Sequence, residues 1–260
     1  MTLSPANPAV LRVSGLRVTY GPTVAVDGID LAVAEGEIFG LLGPNGAGKT
    51  SALSAIEGLI VPREGNITVA GTDVHADAMR AKAQMGVQLQ STSFHSELTI
   101  LEIVRLFAGL YGVALTPSEL HKRLVEISLD DGASKRFRQL SGGQQQRLSL
   151  LIATIHRPPL VLLDEPTAGL DPQARRQLWD RIQSLRAEGH SILLTTHSME
   201  EAQAVCDRVA IMDHGRILTI DTPAGLIEAH KDDPRVRAVA RGAITLEDVF
   251  IGLTGRQVRD

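Results

Sequence analysis

The sequence predicts an α/β fold: a parallel sheet flanked by helices, joined to an antiparallel β subdomain and interrupted by an inserted helical subdomain. Apolar strand-like runs alternate with amphipathic segments in residues 38–59 and 160–196, which is typical of parallel strands connected by helices. Residues 11–20 and 24–33 are rich in β-branched side chains and flank a Gly-Pro turn, which predicts an antiparallel pair. Between these parts, about residues 91–157, the pattern is helical.

Turn and capping signals place the individual elements. Residues 67–74 are predicted to form a further strand and residues 49–59 a helix. Thr99 can cap a helix with Glu102 as its capping-box partner, and another helix is predicted to begin at Thr116. The apolar stripe of the helix after Thr99 is predicted to comprise Ile100, Val104, Phe107 and Leu110.

Composition excludes several kinds of site and partner. The chain has 260 residues, of which 43% are hydrophobic, and its formal net charge is -4. This balance provides no basic surface for a polyanion, so we expect no nucleic-acid partner. No apolar stretch approaches the roughly 18 residues of a membrane-spanning helix, and residues 1–10 lack the basic start and apolar core of a secretory signal. The single cysteine, Cys206, is expected to pack in the interior of a cytosolic protein.

Residues 43–50 fit the phosphate-binding loop pattern G-x-x-x-x-G-K-[ST] and lie between a predicted strand and a predicted helix. The glycines allow several backbone N–H groups to point at phosphate, and the helix start adds a partial positive charge. Lys49 is expected to reach the β and γ phosphates, and Thr50 to bind magnesium. The predicted nucleotide-binding residues of this segment are Gly43, Asn45, Gly46, Gly48, Lys49, Thr50 and Ser51.

Two acidic residues, Asp164 and Glu165, follow the predicted buried strand at residues 160–163. Ligands of open α/β sheets bind at the carboxyl ends of the strands, so both carboxylates are predicted to face the phosphate-binding loop. Asp164 is then the expected magnesium ligand, and Glu165 the group that orients or deprotonates the attacking water. An apolar run that ends in two acids is by itself equally typical of a solvated strand end. Its pairing with residues 43–50 favours a hydrolytic site.

A second glycine-rich segment, Leu140-Ser141-Gly142-Gly143-Gln144, can hold an anion at the start of a helix. In this order and spacing it resembles the signature motif of ATP-binding cassette (ABC) proteins. The resemblance implies a P-loop NTPase core of the ABC type. It also implies head-to-tail dimerisation, in which Ser141 and Gly143 of one subunit close over the ATP held by the phosphate-binding loop of the other.

Further positions take their roles from this resemblance. Tyr20 matches the aromatic residue that stacks on adenine, and Asp171 matches the loop that crosses the dimer interface. Gln90, with Gln88 as a near rival, matches the glutamine that contacts magnesium and the attacking water. His197 matches the switch histidine, whose imidazole can hydrogen-bond the γ-phosphate. The implied catalytic residues are Glu165, His197 and Gln90, and the implied magnesium ligands are Thr50, Gln90 and Asp164.

The resemblance covers residues 11–223 and predicts an ATPase domain over residues 1–230, followed by a short C-terminal tail, residues 231–260. Residues 245–250 resemble the ending of the drug- and antibiotic-export branch of these ATPases. Members of that branch have a longer segment before this ending, whereas only residues 229–244 precede it here. We therefore expect any accessory C-terminal lobe to be reduced or missing. The ending itself is equally typical of a short helix packed on the core and of a partner contact.

The implied activity is hydrolysis of ATP with Mg²⁺ by a homodimer or pseudo-dimer that drives a separate integral-membrane permease. The export branch implies that the permease exports a drug, an antibiotic or another small hydrophobic compound, with the ATPase at the cytoplasmic face of the cell membrane. We expect the permease to touch the segment at residues 91–98, with Phe94 as the candidate contact.

The alternative from another class is a soluble ABC ATPase that acts in DNA or ribosome processes. Such proteins usually carry a long coiled-coil insertion or two cassettes in one chain, and this sequence has neither. The net charge of -4 also disfavours a nucleic-acid substrate. A P-loop GTPase or kinase is disfavoured by the segment at residues 141–144.

Overall fold

The computed structural model describes residues 8–88 and 94–255. In chain order its strands are β1 (Ala9–Tyr20), β2 (Thr23–Ala34), β3 (Ile38–Leu42), β4 (Glu64–Val69), β5 (Thr72–Asp73), β6 (Met85–Gln88), β7 (Leu160–Asp164), β8 (Ser191–Thr196), β9 (Arg208–Asp213) and β10 (Arg216–Asp221). Its helices are α1 (Lys49–Ile56), α2 (Ala78–Ala83), α3 (Ile100–Leu110), α4 (Pro117–Glu126), α5 (Gly142–Thr154), α6 (Pro172–Ala187), α7 (Met199–Val205), α8 (Pro223–His230), α9 (Pro234–Val239) and α10 (Leu246–Thr254).

The strands form two sheets. Within the described residues, one sheet has the strand order β2-β1-β4-β5 with antiparallel pairs, and the other has the order β10-β9-β3-β8-β7-β6. In the second sheet β9, β3, β8, β7 and β6 run parallel, and β10 pairs antiparallel with β9. The predicted fold class is confirmed. Because β3, β8 and β7 are parallel neighbours, the loops after their carboxyl ends emerge at one edge of the sheet.

Alternate residues of the parallel strands enter two different hydrophobic cores. Phe39 and Leu41 of β3 join a cluster with α1 and the antiparallel sheet, whereas Ile38 and Leu42 join a cluster with α6, α7 and the C-terminal helices. Since both faces of the sheet are covered, β3 and β7 are buried at every position. This explains why these strands are continuous apolar runs in the sequence rather than alternating ones.

Helices α3, α4 and α5 share a third hydrophobic cluster. Capping boxes start all three, at Thr99 as predicted and also at Thr116 and Ser141, and the predicted helix start at Thr116 is confirmed. The predicted stripe of α3 is wrong at its end, because Leu110 is 71% exposed. Ile100, Ile103, Val104 and Ala108 are the buried residues of α3, which follows the i, i+3, i+4 spacing of one helix face. Leu110 is the last residue of α3 and does not pack against the cluster that buries the other residues of this face.

One predicted strand differs from the observed structure. The run at residues 67–74 is not a single strand, because β4 ends at Val69 and β5 begins after a turn in which Ala70 has a φ of 45°. At its other end β4 starts earlier than predicted, since Glu64 pairs with Arg17 and Asn66 with Ser14 of β1. Tertiary pairing with β1 therefore overrides the local turn signal of residues 64–66.

The described part of the C-terminal segment folds into helices that join the core. Leu246, Val249 and Phe250 of α10 and Val236 of α9 are at most 1% exposed and belong to the cluster below α6 and α7. The ending at residues 245–250 thus packs as a short capped helix, and the boundary at residue 230 stays a prediction. None of the described helices has the length and apolar character needed to cross a bilayer.

The crossing of α9 and α10 depends on a glycine. A Cβ added to Gly252 would lie 2.7 Å from Val236 Cγ2 and 2.8 Å from Val236 Cα, so the two backbones touch at this point. We expect Gly252→Ala to lower the free energy of unfolding by about 1–3 kcal/mol, as overpacking does. The matched control is Gly242→Ala, where an added Cβ meets nothing within 4 Å. Thermal melts of both variants measure the difference, and equal melting temperatures would contradict the prediction.

Candidate functional site

The loop at residues 43–50 connects β3 to α1 and closely approaches β2 and β9 at two glycines. Gly48 has a φ of 104°, and a Cβ there would lie 2.3 Å from the carbonyl oxygen of Ala25. A Cβ on Gly43 would lie 2.5 Å from the carbonyl oxygen of Met212. Only glycine fits both positions. Gly48 caps α1 without a side-chain hydrogen bond, so the first N–H groups of the helix remain available to an anion.

The loop borders an open cavity of about 520 Å³. Tyr20, at the end of β1, is half exposed and lines this cavity, as do Glu165 and His197. The structure therefore brings together most of the predicted nucleotide-binding residues. The predicted residues in the lining are Tyr20, Asn45, Gly46, Gly48, Lys49, Thr50, Ser51, Glu165 and His197.

Three charged side chains meet in this cavity. Lys49 is buried, and its Nζ donates to the carbonyl oxygens of Gly43 at 2.7 Å and Pro44 at 3.3 Å. The same Nζ lies 3.5 Å from Glu165 Oε1, and His197 Nδ1 lies 3.3 Å from Glu165 Oε2. Glu165 thus stands between two groups that carry or can carry positive charge, each delivered by a different strand end.

These contacts shift the pKa values of all three groups. Contact with His197 lowers the pKa of Glu165, against the opposing effect of burial, and Lys49 lowers it further. The same contact raises the pKa of His197. Burial lowers the pKa of Lys49, partly offset by Glu165. At neutral pH Glu165 is therefore a carboxylate, and its pairing with His197 is strongest below the raised pKa of the histidine.

The two acids at the end of β7 are placed differently. Asp164 is the last residue of the strand and is 4% exposed, whereas Glu165 leaves the sheet with a φ of 45°, a conformation uncommon for a residue other than glycine. The hydroxyl of Thr195 in the neighbouring strand donates to Asp164 Oδ1 at 2.5 Å and accepts from the backbone N–H of Glu165 at 3.0 Å. The turn out of β7 is therefore tied to β8.

A family model described as ABC transporter matches residues 26–168, more than half of the chain. The chain belongs to the ABC transporter family. It is the ATP-binding subunit of such a transporter, and the members of this family are ATPases coupled to transport.

Curated relatives and solved structures agree with this assignment. Nod factor export ATP-binding protein I of Cupriavidus pinatubonensis (strain JMP 134 / LMG 1197) is 36% identical over 308 residues, covering 98% of this chain and 94% of the relative. A protein of the same name from Rhizobium sp. (strain N33) is 41% identical, covering 86% of this chain and 74% of the relative. The first alignment is longer than this chain of 260 residues, so that relative has residues without a counterpart here.

Among solved structures, an ATP-binding subunit of an ABC transporter matches with a TM-score of 0.79 and 31% identity, covering 94% of this chain and 99% of the other. A bacterial ABC transporter cassette described as dimeric matches with a TM-score of 0.73 and 26% identity, covering 82% of this chain and 98% of the other. The ABC ATPase fold thus accounts for nearly the whole chain.

Some predicted site residues of this ABC ATPase lie outside the cavity. Ser141 is exposed at the start of α5, where its Oγ accepts from the N–H of Gln144 at 3.3 Å. A Cβ on Gly143 would lie 3.0 Å from Ala174 Cβ of α6, so the signature segment packs on that helix. Asp171 caps α6, and its Oδ1 accepts from Ala174 N at 2.9 Å. Ser141, Gly143 and Asp171 are all absent from the lining of the cavity beside the loop at residues 43–50.

Gln90, the predicted contact of magnesium and water, lies outside the described residues. Its near rival, Gln88, is 1% exposed at the end of β6, and its Nε2 donates to Gln146 Oε1 of α5. The polar end of β6 therefore links the parallel sheet to the signature helix. Phe94 packs edge-on against Phe107 at 5.1 Å and Phe137 at 5.4 Å between ring centroids, so packing accounts for its aromatic character.

Sequence reasoning missed three buried polar residues around the site: Thr195, Glu57 and Glu201. The signal for Thr195 was a pair of threonines that ends the otherwise apolar β8. Glu201 in α7 is fully buried and accepts from Trp179 Nε1 at 3.1 Å. No local sequence pattern indicated the role of Glu57, which caps the carboxyl end of α1. The charge of Asp164 that acts on it comes from a distant part of the chain.

Glu57 predicts a pH dependence of stability. Burial, and secondarily the charge of Asp164, raise the pKa of this carboxyl from its ordinary 4.5 to about 7. Folding thus favours the protonated form, and the contribution of Glu57 to stability is lost as pH rises from about 4.5 to 7. We expect Glu57→Gln to be more stable than wild type above pH 7, by up to about 3 kcal/mol, and not below pH 4.5.

Urea unfolding between pH 4.5 and 8, in EDTA and without nucleotide, measures this difference. The stability gap between Glu57→Gln and wild type should widen across the window and level off above pH 7. A gap that stays constant with pH would show that the substitution acts through packing and not through the ionised carboxylate.

Proposed function

We propose that this ABC ATPase works as a head-to-tail dimer in which each ATP is shared between two subunits. One observation carries the proposal: the two anion-binding segments of the chain do not meet. The loop at residues 43–50 borders the cavity. Ser141 and Gly142 are exposed at the start of α5 and do not line that cavity. A helix start with free N–H groups at an exposed surface is suited to an anion held by another molecule. The description of a related cassette as dimeric supports a dimer, though not its orientation.

Residues of the cavity suit an Mg²⁺ ion bound together with the phosphates. Thr50 lines the cavity at the start of α1, and Asp164 lies at the end of β7. The available metal-ligand atoms are therefore a hydroxyl oxygen and a carboxylate oxygen. Hard oxygen ligands are those that Mg²⁺ prefers, and it takes few of them from the protein when phosphates are present. We propose Thr50 and Asp164 as its protein ligands, with Gln90 as a third. The ion would neutralise the charge that develops on the phosphates.

Glu165 is the proposed group that orients the attacking water. It is ionised, and its carboxylate is already held between Lys49 and His197. Phosphate oxygens would compete for Lys49 Nζ with the carbonyl oxygens of Gly43 and Pro44, which now accept from it. Movement of Lys49 toward phosphate would weaken its effect on Glu165 and raise the pKa of that carboxyl toward the range of a general base. His197 would then hold Glu165 on one side and the γ-phosphate on the other.

The membrane partner is the second part of the proposal. We propose that a separate integral-membrane permease docks at the segment of residues 91–98, between β6 and α3, and that the ATPase lies at the cytoplasmic face of the membrane. Gln88 at the end of β6 is hydrogen-bonded to Gln146 of α5. A displacement of the segment at residues 91–98 would therefore be transmitted to both the parallel sheet and α5. Exposed Leu106 on α3 offers further apolar contact area on the same helical subdomain.

Export is the proposed direction of transport. Two relatives that align with most of this chain are named for export of Nod factors. This supports the export branch indicated by the ending at residues 245–250. We propose that the permease exports a drug, an antibiotic or another small hydrophobic compound. In this proposal the permease determines the substrate selectivity of the transporter.

Glu165→Gln tests the hydrolytic mechanism. The amide keeps the size of the side chain but removes the charge that orients water, so we expect ATP hydrolysis to fall by about 10²–10⁴-fold. ATP binding should persist, and the variant should accumulate as an ATP-bound dimer. Phosphate release and light scattering after gel filtration with Mg-ATP measure the two effects.

The control is Glu64→Gln, which makes the same change at an exposed carboxylate that lines neither the nucleotide cavity nor the neighbouring cavity beside Glu165 and His197. It should hydrolyse ATP at the wild-type rate. A Glu165→Gln protein that stays monomeric in ATP, or that hydrolyses ATP normally, would count against the dimer mechanism.

Transport direction is tested by co-expressing this ATPase with a candidate integral-membrane permease. Inside-out vesicles that contain both proteins should accumulate substrate when ATP is added outside, because export then runs inward. Vesicles with the Glu165→Gln subunit should not. Accumulation only in right-side-out vesicles supplied internally with ATP would reverse the proposed direction, and failure of the two proteins to co-purify would contradict the partner.

A further inference from the structure

Thr195 is a buried residue that touches both acids at the end of β7. It pairs in parallel register with Asp164 across β7 and β8 and is 0% exposed. Its Oγ1 donates to Asp164 Oδ1 at 2.5 Å, and the same oxygen accepts from the backbone N–H of Glu165 at 3.0 Å. A threonine hydroxyl has one donor hydrogen, and here it is directed at the carboxylate. One side chain thus holds a side chain and a backbone that belong to successive residues.

Glu165 needs such a support because of its backbone. Its φ of 45° turns the chain out of the sheet immediately after the last residue of β7, in a conformation that residues other than glycine rarely adopt. The N–H of Glu165 is directed at the carbonyl oxygen of Thr195 at 3.2 Å as well as at its hydroxyl. The residue that presents the carboxylate to the cavity is therefore anchored at its backbone to a single position of β8.

We propose that Thr195 is a positioning residue for hydrolysis: its hydroxyl sets the position of Glu165 relative to Asp164. This inference rests on the proposed function and deepens it. Thr195 does not line the nucleotide cavity, so it acts through its two neighbours and not on ATP. Loss of the hydroxyl leaves Asp164 Oδ1 without this donor and leaves the N–H of Glu165 with the Thr195 carbonyl oxygen alone. Nucleotide binding by the loop at residues 43–50 does not depend on either bond.

The test uses three variants. Thr195→Val keeps the β-branched shape and removes the hydroxyl, whereas Thr195→Ser keeps the hydroxyl. Thr154→Val is the matched control, because Thr154 is 1% exposed and its hydroxyl donates to the carbonyl oxygen of Leu150 within α5, away from the cavity. Loss of one buried hydroxyl should lower the melting temperature of Thr195→Val and Thr154→Val by similar amounts.

We expect Thr195→Val to lower kcat for ATP hydrolysis by about 10–100-fold, the range found when a residue that orients a metal ligand is removed. The affinity for a fluorescent ATP analogue in EDTA should change less than about twofold, because the loop contacts are intact. The increase in affinity that Mg²⁺ produces should be smaller than in wild type, since Asp164 is less well oriented. Thr195→Ser should recover most of kcat, and Thr154→Val should retain wild-type kcat.

Three outcomes would overturn the proposal: a wild-type kcat in Thr195→Val, a Thr195→Ser protein as impaired as Thr195→Val, or a parallel loss of kcat and EDTA affinity. The last result would show general disruption of the site. Failure of the proposed function is recognised separately, because wild type would then bind the analogue without hydrolysing ATP. In that case the test of Thr195 as a positioning residue is the Mg²⁺ dependence of analogue binding. If Mg²⁺ raises the affinity of Thr195→Val as much as that of wild type, this role is excluded.

Discussion

The parallel pairing of β3, β8 and β7 determines where every charged group of the nucleotide cavity lies. Leu42 is opposite Thr196, and Asp164 is opposite Thr195, so the three strands end at the same level. The phosphate-binding loop, Glu165 and His197 are the first groups beyond these ends. A shift of one residue in the register of either pair would turn the alternating side chains to the other face and separate the charges. Burial of both faces of the sheet is what holds the register.

Charge balance inside the cavity follows from that geometry. Burial disfavours the ammonium of Lys49, and the carboxylate of Glu165 offsets part of this cost. Glu165 is in turn stabilised by His197, so the three groups form a chain of charges in which each depends on its neighbour. In the proposed mechanism, phosphate oxygens replace the carbonyl oxygens and the carboxylate around Lys49.

The C-terminal helices pack near the end of β8, which is followed by His197. His197 is separated from α7 by a single residue, and α10 packs with α7, α8 and α9 in the core below the sheet. Glu201 of α7 is fully buried, bonded to Trp179 of α6 and near the hydroxyls of Thr167 and Thr196. The strand end that carries His197 is therefore braced by α6, α7 and α10 together. The segment predicted to be a short C-terminal tail thus packs against the helices that follow and flank β8.

The sequence by itself determined the parts of this protein that depend on local chemistry: the glycine pattern and lysine of residues 43–50, the apolar strands, and the caps at Thr99 and Thr116. Uninterrupted apolar runs identified β3 and β7 because strands buried on both faces have no polar alternation. Tertiary structure alone decided the early start of β4, the raised pKa of Glu57 and the two hydrogen bonds of the Thr195 hydroxyl. Each of these arises from a contact between residues far apart in the chain, and local pattern carries no information about such contacts.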